Sequence, residues 1–242
     1  MCHGDDSRPP AAPGAVPASS DGPVVLTASD GNRVLAHQAR PASATGVGIV
    51  VLPDVRGLHG YYRQLAVRFA ETGAESVAID YFGRTASDDD RSEVFEFMPH
   101  VQRTTPQGVA ADVAAGVAHL RSLNASSIFT VGFCFGGGYS WRQSADTPGL
   151  SGAVGFYGRP AAATDVLREL QAPLLMLVAG ADAAIPLADT ASLAAAAGER
   201  VDVERVVFDD APHSFFDRSF AEHEADCVRA WQVIGQFVEA HR

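Results

Sequence analysis

One cysteine of this chain lies in a glycine-rich turn between a predicted strand and a predicted helix. The apolar, β-rich run at residues 128–131 leads directly into Gly132-Phe133-Cys134-Phe135-Gly136-Gly137. A nucleophile on such a tight turn projects from the edge of a sheet, and flanking glycines let neighbouring backbone approach closely. The start of the following helix carries partial positive charge, which favours both a thiolate and an incoming oxyanion. The pattern predicts that Cys134 is a catalytic nucleophile; a buried structural cysteine is the alternative.

Two further residues that could complete a catalytic triad follow later strands. Asp182 comes just after the apolar run at residues 174–179, and His213 comes just after residues 201–208. Taken alone, Asp182 could be a turn residue and His213 a surface histidine. The order nucleophile, acid, histidine, each past the carboxyl end of a strand, is that of the α/β-hydrolase fold. We therefore predict a triad in which Asp182 orients His213 and His213 handles the proton of Cys134.

The elements that must position these residues alternate between short apolar runs and helical periodicity. This alternation predicts a mostly parallel sheet with helices on both faces, opened by an antiparallel hairpin. Nothing indicates an internal repeat, so residues 23–242 are predicted to form a single domain. Predicted strands cover residues 24–28, 33–38, 47–52, 76–79, 127–131, 152–156, 174–179 and 201–208. Predicted helices cover residues 61–72, 108–123, 164–170, 188–197 and 220–240, and the polar stretch 85–106 is predicted to be a loop or partial lid.

From about residue 24 to its C-terminus, the sequence resembles the dienelactone hydrolase family. The motifs that carry the resemblance are LPDVRG at residues 52–57, DYFGR at 80–84, GFCFGG at 132–137, GAD at 180–182 and HSF at 213–215. The resemblance implies a compact α/β-hydrolase without a large cap. It also implies activity of the carboxymethylenebutenolidase type, in which the enol-lactone ring of dienelactone is opened without a cofactor or a metal.

Backbone N–H groups near the nucleophile are predicted to stabilise the oxyanion that forms during attack on an acyl carbon. These are the amides of Phe135, directly after the nucleophile, and of Val55, in the loop after the third strand. The resemblance adds a carboxylate in that loop, where Asp54 replaces the glutamate of other family members. We expect Asp54 to lie beside Cys134 and to disfavour its ionisation, since like charges repel. A carboxylate that only caps the loop is the alternative.

Three arginines are candidates for binding a substrate carboxylate, because a guanidinium can donate two parallel hydrogen bonds to it. Arg84 matches the family arginine to which the resemblance assigns this role. The second family position, four residues after the histidine, holds Asp217 here, and Arg218 is next to it. Arg56, where many family members carry an aromatic residue, is the third candidate. A surface salt bridge is the alternative interpretation for each.

Composition disfavours several other classes of protein. The 242 residues are 47% hydrophobic, with a formal net charge of −11, so we expect a globular protein that binds neither nucleic acid nor membrane. Three cysteines cannot form a closed disulfide framework, which favours a reducing, cytoplasmic location. Residues 1–22 lack the basic start and apolar block of a signal peptide and are predicted to be a flexible tail.

The predicted function is hydrolysis of a small ester or lactone, anionic substrates included, through an acyl-thioester on Cys134. A general carboxylesterase or thioesterase of the same fold is the nearest alternative. A thiol redox protein that uses Cys134 belongs to a different class, and no resolving cysteine lies close by in the sequence. A scaffold that only binds a ligand is a further alternative, against which an intact triad argues.

Overall fold

A computed structural model describes residues 3–92 and 94–242 of the chain. The described strands are β1 (Ser20–Thr27), β2 (Arg33–Arg40), β3 (Val47–Leu52), β4 (Glu75–Ile79), β5 (Ser127–Phe133), β6 (Gly152–Phe156), β7 (Leu174–Ala179) and β8 (Val203–Phe208). The α-helices are α1 (Gly60–Ala70), α2 (Met98–Val101), α3 (Pro106–Ser122), α4 (Phe135–Asp146), α5 (Leu187–Ala197) and α6 (Glu224–His241). The strands form one sheet in the order β1-β2-β4-β3-β5-β6-β7-β8. Strand β2 pairs antiparallel with β1 and β4, and all other neighbours are parallel.

Helices cover both faces of the sheet because successive residues of each strand point to opposite sides. In β3, Ile49 and Val51 pack in the same cluster as α1 and α6, whereas Val50 and Leu52 pack in the same cluster as α3. All residues of β3 and β7 are buried, as expected for parallel strands between two helical layers. The predicted mostly parallel sheet with helices on both faces is confirmed. None of the described helices is long and apolar enough to cross a membrane.

Two predicted segments differ from the structure in detail. The helix predicted at residues 164–170 is a 3₁₀ helix, Thr164–Glu169, with non-helical backbone angles at Val166. Threonine, aspartate and valine have modest α-helix propensity, and short connectors commonly take the tighter 3₁₀ form. The stretch 85–106, predicted to be a loop or partial lid, is mostly irregular but contains the single-turn helix α2.

A buried ion pair anchors that stretch to the sheet. Arg91 is completely buried, and its Nη2 lies 3.0 Å from Oδ2 of Asp80, which directly follows β4. The same carboxylate accepts hydrogen bonds from the backbone N–H groups of Leu58 and Phe82. Because one buried carboxylate holds three segments, the loops after β3 and β4 and the stretch 85–106 have fixed relative positions.

The N-terminal segment differs from the flexible tail that its composition predicts. Residues 3–19 lie against the rest of the molecule, and β1 begins at Ser20. The Trp231 side chain donates a hydrogen bond to the Pro10 carbonyl over 3.2 Å, and the Val16 N–H donates to the Glu71 carbonyl. A proline- and alanine-rich sequence shows no periodicity, so these isolated contacts leave no pattern to detect. Residues 1 and 2 of the predicted tail lie outside the described residues, and the single-domain organisation of 23–242 stays a prediction.

Candidate active site

Cys134 occupies the sharp junction between β5 and α4, at the carboxyl edge of the sheet. Its backbone has φ of 54° and ψ of −110°, a conformation that residues with a side chain rarely adopt. Two backbone hydrogen bonds of 3.0 Å hold it there: the Cys134 N–H donates to Phe156, and the Cys134 carbonyl accepts from Gly137. The turn therefore places Cys134 directly at the N-terminus of α4.

Glycines occur where the backbone of this turn makes its closest approaches. A Cβ added to Gly132 would overlap the Gly136 carbonyl, and a Cβ added to Gly136 would overlap the Leu52 carbonyl. Because both obstacles are backbone atoms, no side-chain rearrangement could relieve them. The two glycines let the first turn of α4 rest on the end of β3, beside the loop that carries Val55.

His213 and Asp182 are joined at the same edge of the sheet, in the turns after β8 and β7. Nδ1 of His213 lies 2.6 Å from Oδ2 of Asp182, the short distance typical of a charge-assisted hydrogen bond. The Asp182 side chain is 2% exposed and that of His213 is 22% exposed. Oδ1 of Asp182 accepts a hydrogen bond from the Ala184 N–H. A buried carboxylate of fixed orientation thus supports an imidazole that a substrate can reach.

One cleft of about 690 Å³ is lined by Cys134, Asp182 and His213 together with Val55 and Phe135, the two residues whose amides are predicted to bind the oxyanion. Its walls are mostly apolar, as is usual for small-molecule sites. One wall comes from α2, within the stretch predicted to be a partial lid. The structure brings together Cys134, Asp182, His213, Val55 and Phe135; the other lining residues are Met98, Val101, Arg159, Ala181, Ala183, Ala184 and Pro212.

Arg84 does not line this cleft. Its guanidinium donates two hydrogen bonds to Asp112, of 3.1 and 2.8 Å, and also pairs with Asp30. Partial burial alone would lower the pKa of Arg84, but its hydrogen bonds with Asp30 and Asp112 raise it above its ordinary value. Its donors are occupied by protein carboxylates, so the geometry favours the salt-bridge interpretation over a substrate role.

Arg56 and Arg218 also do not line the cleft. Arg56 is buried, and it donates to the carbonyl of His3 over 2.9 Å and to the carboxylate of Asp5 over 2.5 Å. Arg218 is exposed, and its backbone N–H donates to the Arg8 carbonyl. Both arginines contact the N-terminal segment, which was not expected to be packed there.

Arg159 is the cleft residue that the sequence reasoning missed. It follows β6 by three residues, is exposed and lines the same cleft as Cys134 and His213. Its side chain forms no hydrogen bond or ion pair with any residue that the structure describes. One signal could have found it: the loops after all parallel strands meet at one edge, so a cation just after residues 152–156 must lie near the nucleophile.

Asp54 is fully buried, in the loop between β3 and α1. Its Oδ1 accepts the Arg56 N–H over 2.8 Å and lies 3.8 Å from Nε2 of His59. Burial raises the pKa of Asp54 above its ordinary value, opposed by the charge of His3 and the hydrogen bond from Arg56. Burial also lowers the pKa of His59 to about 3. Asp54 therefore caps its loop, and its effect on Cys134 stays a prediction.

Cys227 has the environment of an inert thiol. It is buried in α6, where its Sγ lies 3.6 Å from the Phe215 carbonyl oxygen. Burial raises the pKa of Cys227 to about 12, so the reactive thiolate form is scarce at neutral pH. Cys134, partly exposed at the cleft, is therefore the better nucleophile of the two.

A mostly parallel sheet, a strained cysteine turn after β5, and an Asp–His pair after β7 and β8 together define an α/β-hydrolase. The comparison with known families agrees with this class, because the pattern of the dienelactone hydrolase family matches residues 34–242. The chain belongs to the dienelactone hydrolase family, and it is a carboxylic ester hydrolase.

Individual relatives are consistent with this membership. A protein of Salmonella typhi, provisionally assigned as a carboxymethylenebutenolidase, is 28% identical over 220 residues, covering 84% of this chain and 82% of its own. The crystal structure of a provisionally assigned dienelactone hydrolase from Klebsiella pneumoniae has a TM-score of 0.78 at 24% identity, covering 91% of this chain and 98% of that one. An esterase of Pyrococcus furiosus has a TM-score of 0.71 at 14% identity, covering 92% and 93%. The two structures support the fold.

Proposed function

We propose that the chain hydrolyses a small ester or lactone through a triad of Cys134, His213 and Asp182 and an acyl-thioester intermediate. The observation that carries the proposal is the 2.6 Å contact between His213 Nδ1 and Asp182 in the cleft that Cys134 lines. Since Asp182 occupies Nδ1, Nε2 is the nitrogen that exchanges protons with the thiol and the leaving group. This assigns each of the three side chains a distinct task.

The reaction has two balanced half-reactions. In the first, Nε2 of His213 takes the thiol proton, Sγ of Cys134 bonds to the acyl carbon, and the acyl C–O bond breaks as the departing oxygen receives that proton. A lactone leaves its new hydroxyl or enol on the same molecule, still attached as the thioester. In the second, water gives a proton to His213 and attacks the thioester, and the thiol regains that proton as the carboxylic acid is released.

The amides of Phe135 and Val55 are proposed to hold the negative oxygen of both tetrahedral intermediates. Phe135 is the first residue of α4, and the N–H groups in the first turn of a helix have no partner within that helix. The helix dipole adds positive potential at the same place. Val55 approaches from the end of β3, which the small size of Gly136 permits.

The substrate is proposed to combine a compact apolar or unsaturated acyl part with a carboxylate. Met98, Val101 and Pro212 supply apolar contact surface, and Arg159 supplies the cation. The name of the Salmonella typhi relative, carboxymethylenebutenolidase, describes a lactone that carries a carboxymethylene group and is consistent with this proposal. The predominantly apolar walls favour a second candidate, a general carboxylesterase that acts on neutral esters.

Replacement of the nucleophile tests the proposal directly. Cys134→Ala should reduce kcat for p-nitrophenyl acetate by on the order of 10⁴-fold or more, because loss of the nucleophile in a serine triad costs about 10⁶. Cys227→Ala is the matched control and should stay within about twofold of the wild type. Esterase activity of Cys134→Ala close to the wild-type level would contradict the triad interpretation. If this variant kept its esterase activity and lost only peroxide-dependent thiol oxidation, the redox alternative would be favoured.

The carboxylate that orients the histidine gives a second prediction. Asp182→Asn offers an N–H donor where His213 Nδ1–H needs an acceptor, a change that costs about 10⁴ in kcat in a serine triad. A thiol needs less help from its base, so we expect a loss on the order of 10²–10³. Steady-state kinetics with p-nitrophenyl acetate measures it. An Asp182→Asn enzyme within about twofold of the wild type would show that another acceptor orients His213.

Arg159 is expected to select for an anionic substrate. Arg159→Ala should lower kcat/KM for mono-p-nitrophenyl succinate by roughly tenfold, the low end for hydrogen bonds to a charged group because the guanidinium is exposed. The neutral ester p-nitrophenyl butyrate should be unaffected, and Arg159→Lys should restore part of the loss. Arg168→Ala, an exposed arginine outside the cleft, is the control. Equal losses on both esters would show that Arg159 does not recognise the carboxylate of the substrate.

Asp54 is proposed to disfavour ionisation of Cys134 in the free enzyme. Asp54→Asn should speed alkylation of Cys134 by iodoacetamide at pH 7 by on the order of tenfold, because the proposed carboxylate charge beside the thiol would shift its ionisation equilibrium by about that factor or more. Asp202→Asn, an exposed aspartate at the opposite edge of the sheet, is the control. Labelling rates that coincide from pH 6 to 9 in the wild type and Asp54→Asn would leave Asp54 a purely structural role.

A further inference from the structure

The first described residues of the chain are inserted beneath the active site. The side chain of His3 is 1% exposed, and its ring stacks on that of Tyr61, with centroids 3.7 Å apart and planes 9° from parallel. The rings of Tyr62 and Phe133 pack edge-on against it. An imidazole enclosed on three sides by aromatic rings has a fixed position, so its polar atoms can fix the position of a neighbour.

That neighbour is Tyr157, which directly follows β6. Nε2 of His3 lies 3.0 Å from the Tyr157 hydroxyl oxygen, a buried hydrogen bond between residues 154 positions apart. At its other side, the Tyr157 ring packs on the ring of His213, with centroids 4.8 Å apart. Tyr157 has φ of 37°, a strained conformation that its surroundings must maintain. His3 is thus connected to the proposed catalytic base through a single side chain.

A second connection runs through the loop that follows His213. Asp217 is buried; its Oδ1 accepts the Arg8 N–H over 3.0 Å, and its Oδ2 lies 3.5 Å from Nδ1 of His3. Burial alone would raise the pKa of Asp217, but its contacts with His3 and Ser7 and the hydrogen bonds from the Ser219 and Arg8 N–H groups hold it well below its ordinary value. The N-terminal segment therefore contacts Tyr157, whose ring packs on that of His213, and also Asp217, in the loop that follows His213.

We propose that His3 is a positioning residue of the active site, and that residues 3–8 orient His213 through Tyr157 and Asp217. The proposal rests on the proposed role of His213 as the base. These residues precede the part of the chain that matches the family pattern, which begins at residue 34.

The expected effect follows from how strongly rates depend on geometry. A displacement of about 1 Å between reacting groups can cost about a hundredfold in rate, and loss of His3 would loosen the ring that packs on His213. We therefore expect His3→Ala to lower kcat by roughly tenfold for p-nitrophenyl acetate, with KM within about twofold. A loss in kcat with little change in KM is expected because His3 does not line the cleft and therefore does not contact the substrate.

A double-mutant cycle isolates the contact between the two residues. Tyr157→Phe removes only the hydroxyl and keeps the ring beside His213, so it should reproduce the part of the His3→Ala kcat loss that depends on the contact with Tyr157. The double variant should be no slower than His3→Ala alone, because His3→Ala has already deleted the hydrogen bond that Tyr157→Phe removes. His3→Gln, whose amide nitrogen can occupy the place of Nε2, should recover most of kcat, whereas the shorter His3→Asn should not.

A matched control separates positioning from stability. Trp231→Phe deletes the hydrogen bond between α6 and Pro10, which anchors the same segment seven residues after His3 and involves neither Tyr157 nor Asp217. It should lower the urea midpoint of unfolding but leave kcat within about twofold. If the two single variants both stay within about twofold of the wild type, or if their losses multiply in the double variant, the proposal is overturned. An active Cys134→Ala enzyme would instead overturn the proposed function, whatever the cycle shows.

Discussion

The left-handed backbone of Cys134 is the constraint on which the rest of the site depends. A residue with a side chain in such a conformation costs about 1–3 kcal/mol, and it persists only where the surroundings impose it. Here the surroundings are the Phe156 carbonyl of the neighbouring strand and the Gly137 N–H of the following helix. The requirement extends to β3, because α4 can begin where it does only if Gly136 passes directly over the Leu52 carbonyl. The order of β3, β5 and β6 in the sheet is therefore part of the chemistry.

Among the residues that the structure describes, most arginines near the cleft are occupied by partners within the protein, and Arg159 is not. The chain has a formal net charge of −11, and most of its arginines near the cleft are paired with carboxylates or backbone carbonyls. Arg84 is held by Asp30 and Asp112, and Arg56 by Asp5 and the His3 carbonyl. Such pairs fix the positions of loops, but their donors are no longer available to a ligand. Arg159 lines the cleft, and its guanidinium has no partner among the residues that the structure describes, so it stays available to a ligand.

The sheet, and the position of the triad candidates at its edge, could be predicted from the sequence because both depend on local patterns. Buried parallel strands appear as short apolar runs, and the carboxyl ends of those runs locate Cys134, Asp182 and His213 at one edge. The choice among arginines depends on pairing between distant residues; Arg84 meets Asp30 and Asp112, which lie 54 and 28 positions away. No local pattern distinguishes an arginine occupied by such partners from an available one. The packed N-terminal segment escapes prediction for the same reason, since it is held by isolated contacts with residues far along the chain.

Two buried polar side chains in the loop between β3 and α1 show how local pattern and long-range packing combine. Asp54 and His59 lie 3.8 Å apart and are buried, an environment that disfavours the charged form of each. Burial raises the pKa of the first and lowers the pKa of the second to about 3, so His59 is neutral at physiological pH. The local elbow motif thus identifies the candidate nucleophile, while long-range packing determines which of the neighbouring side chains carry charge.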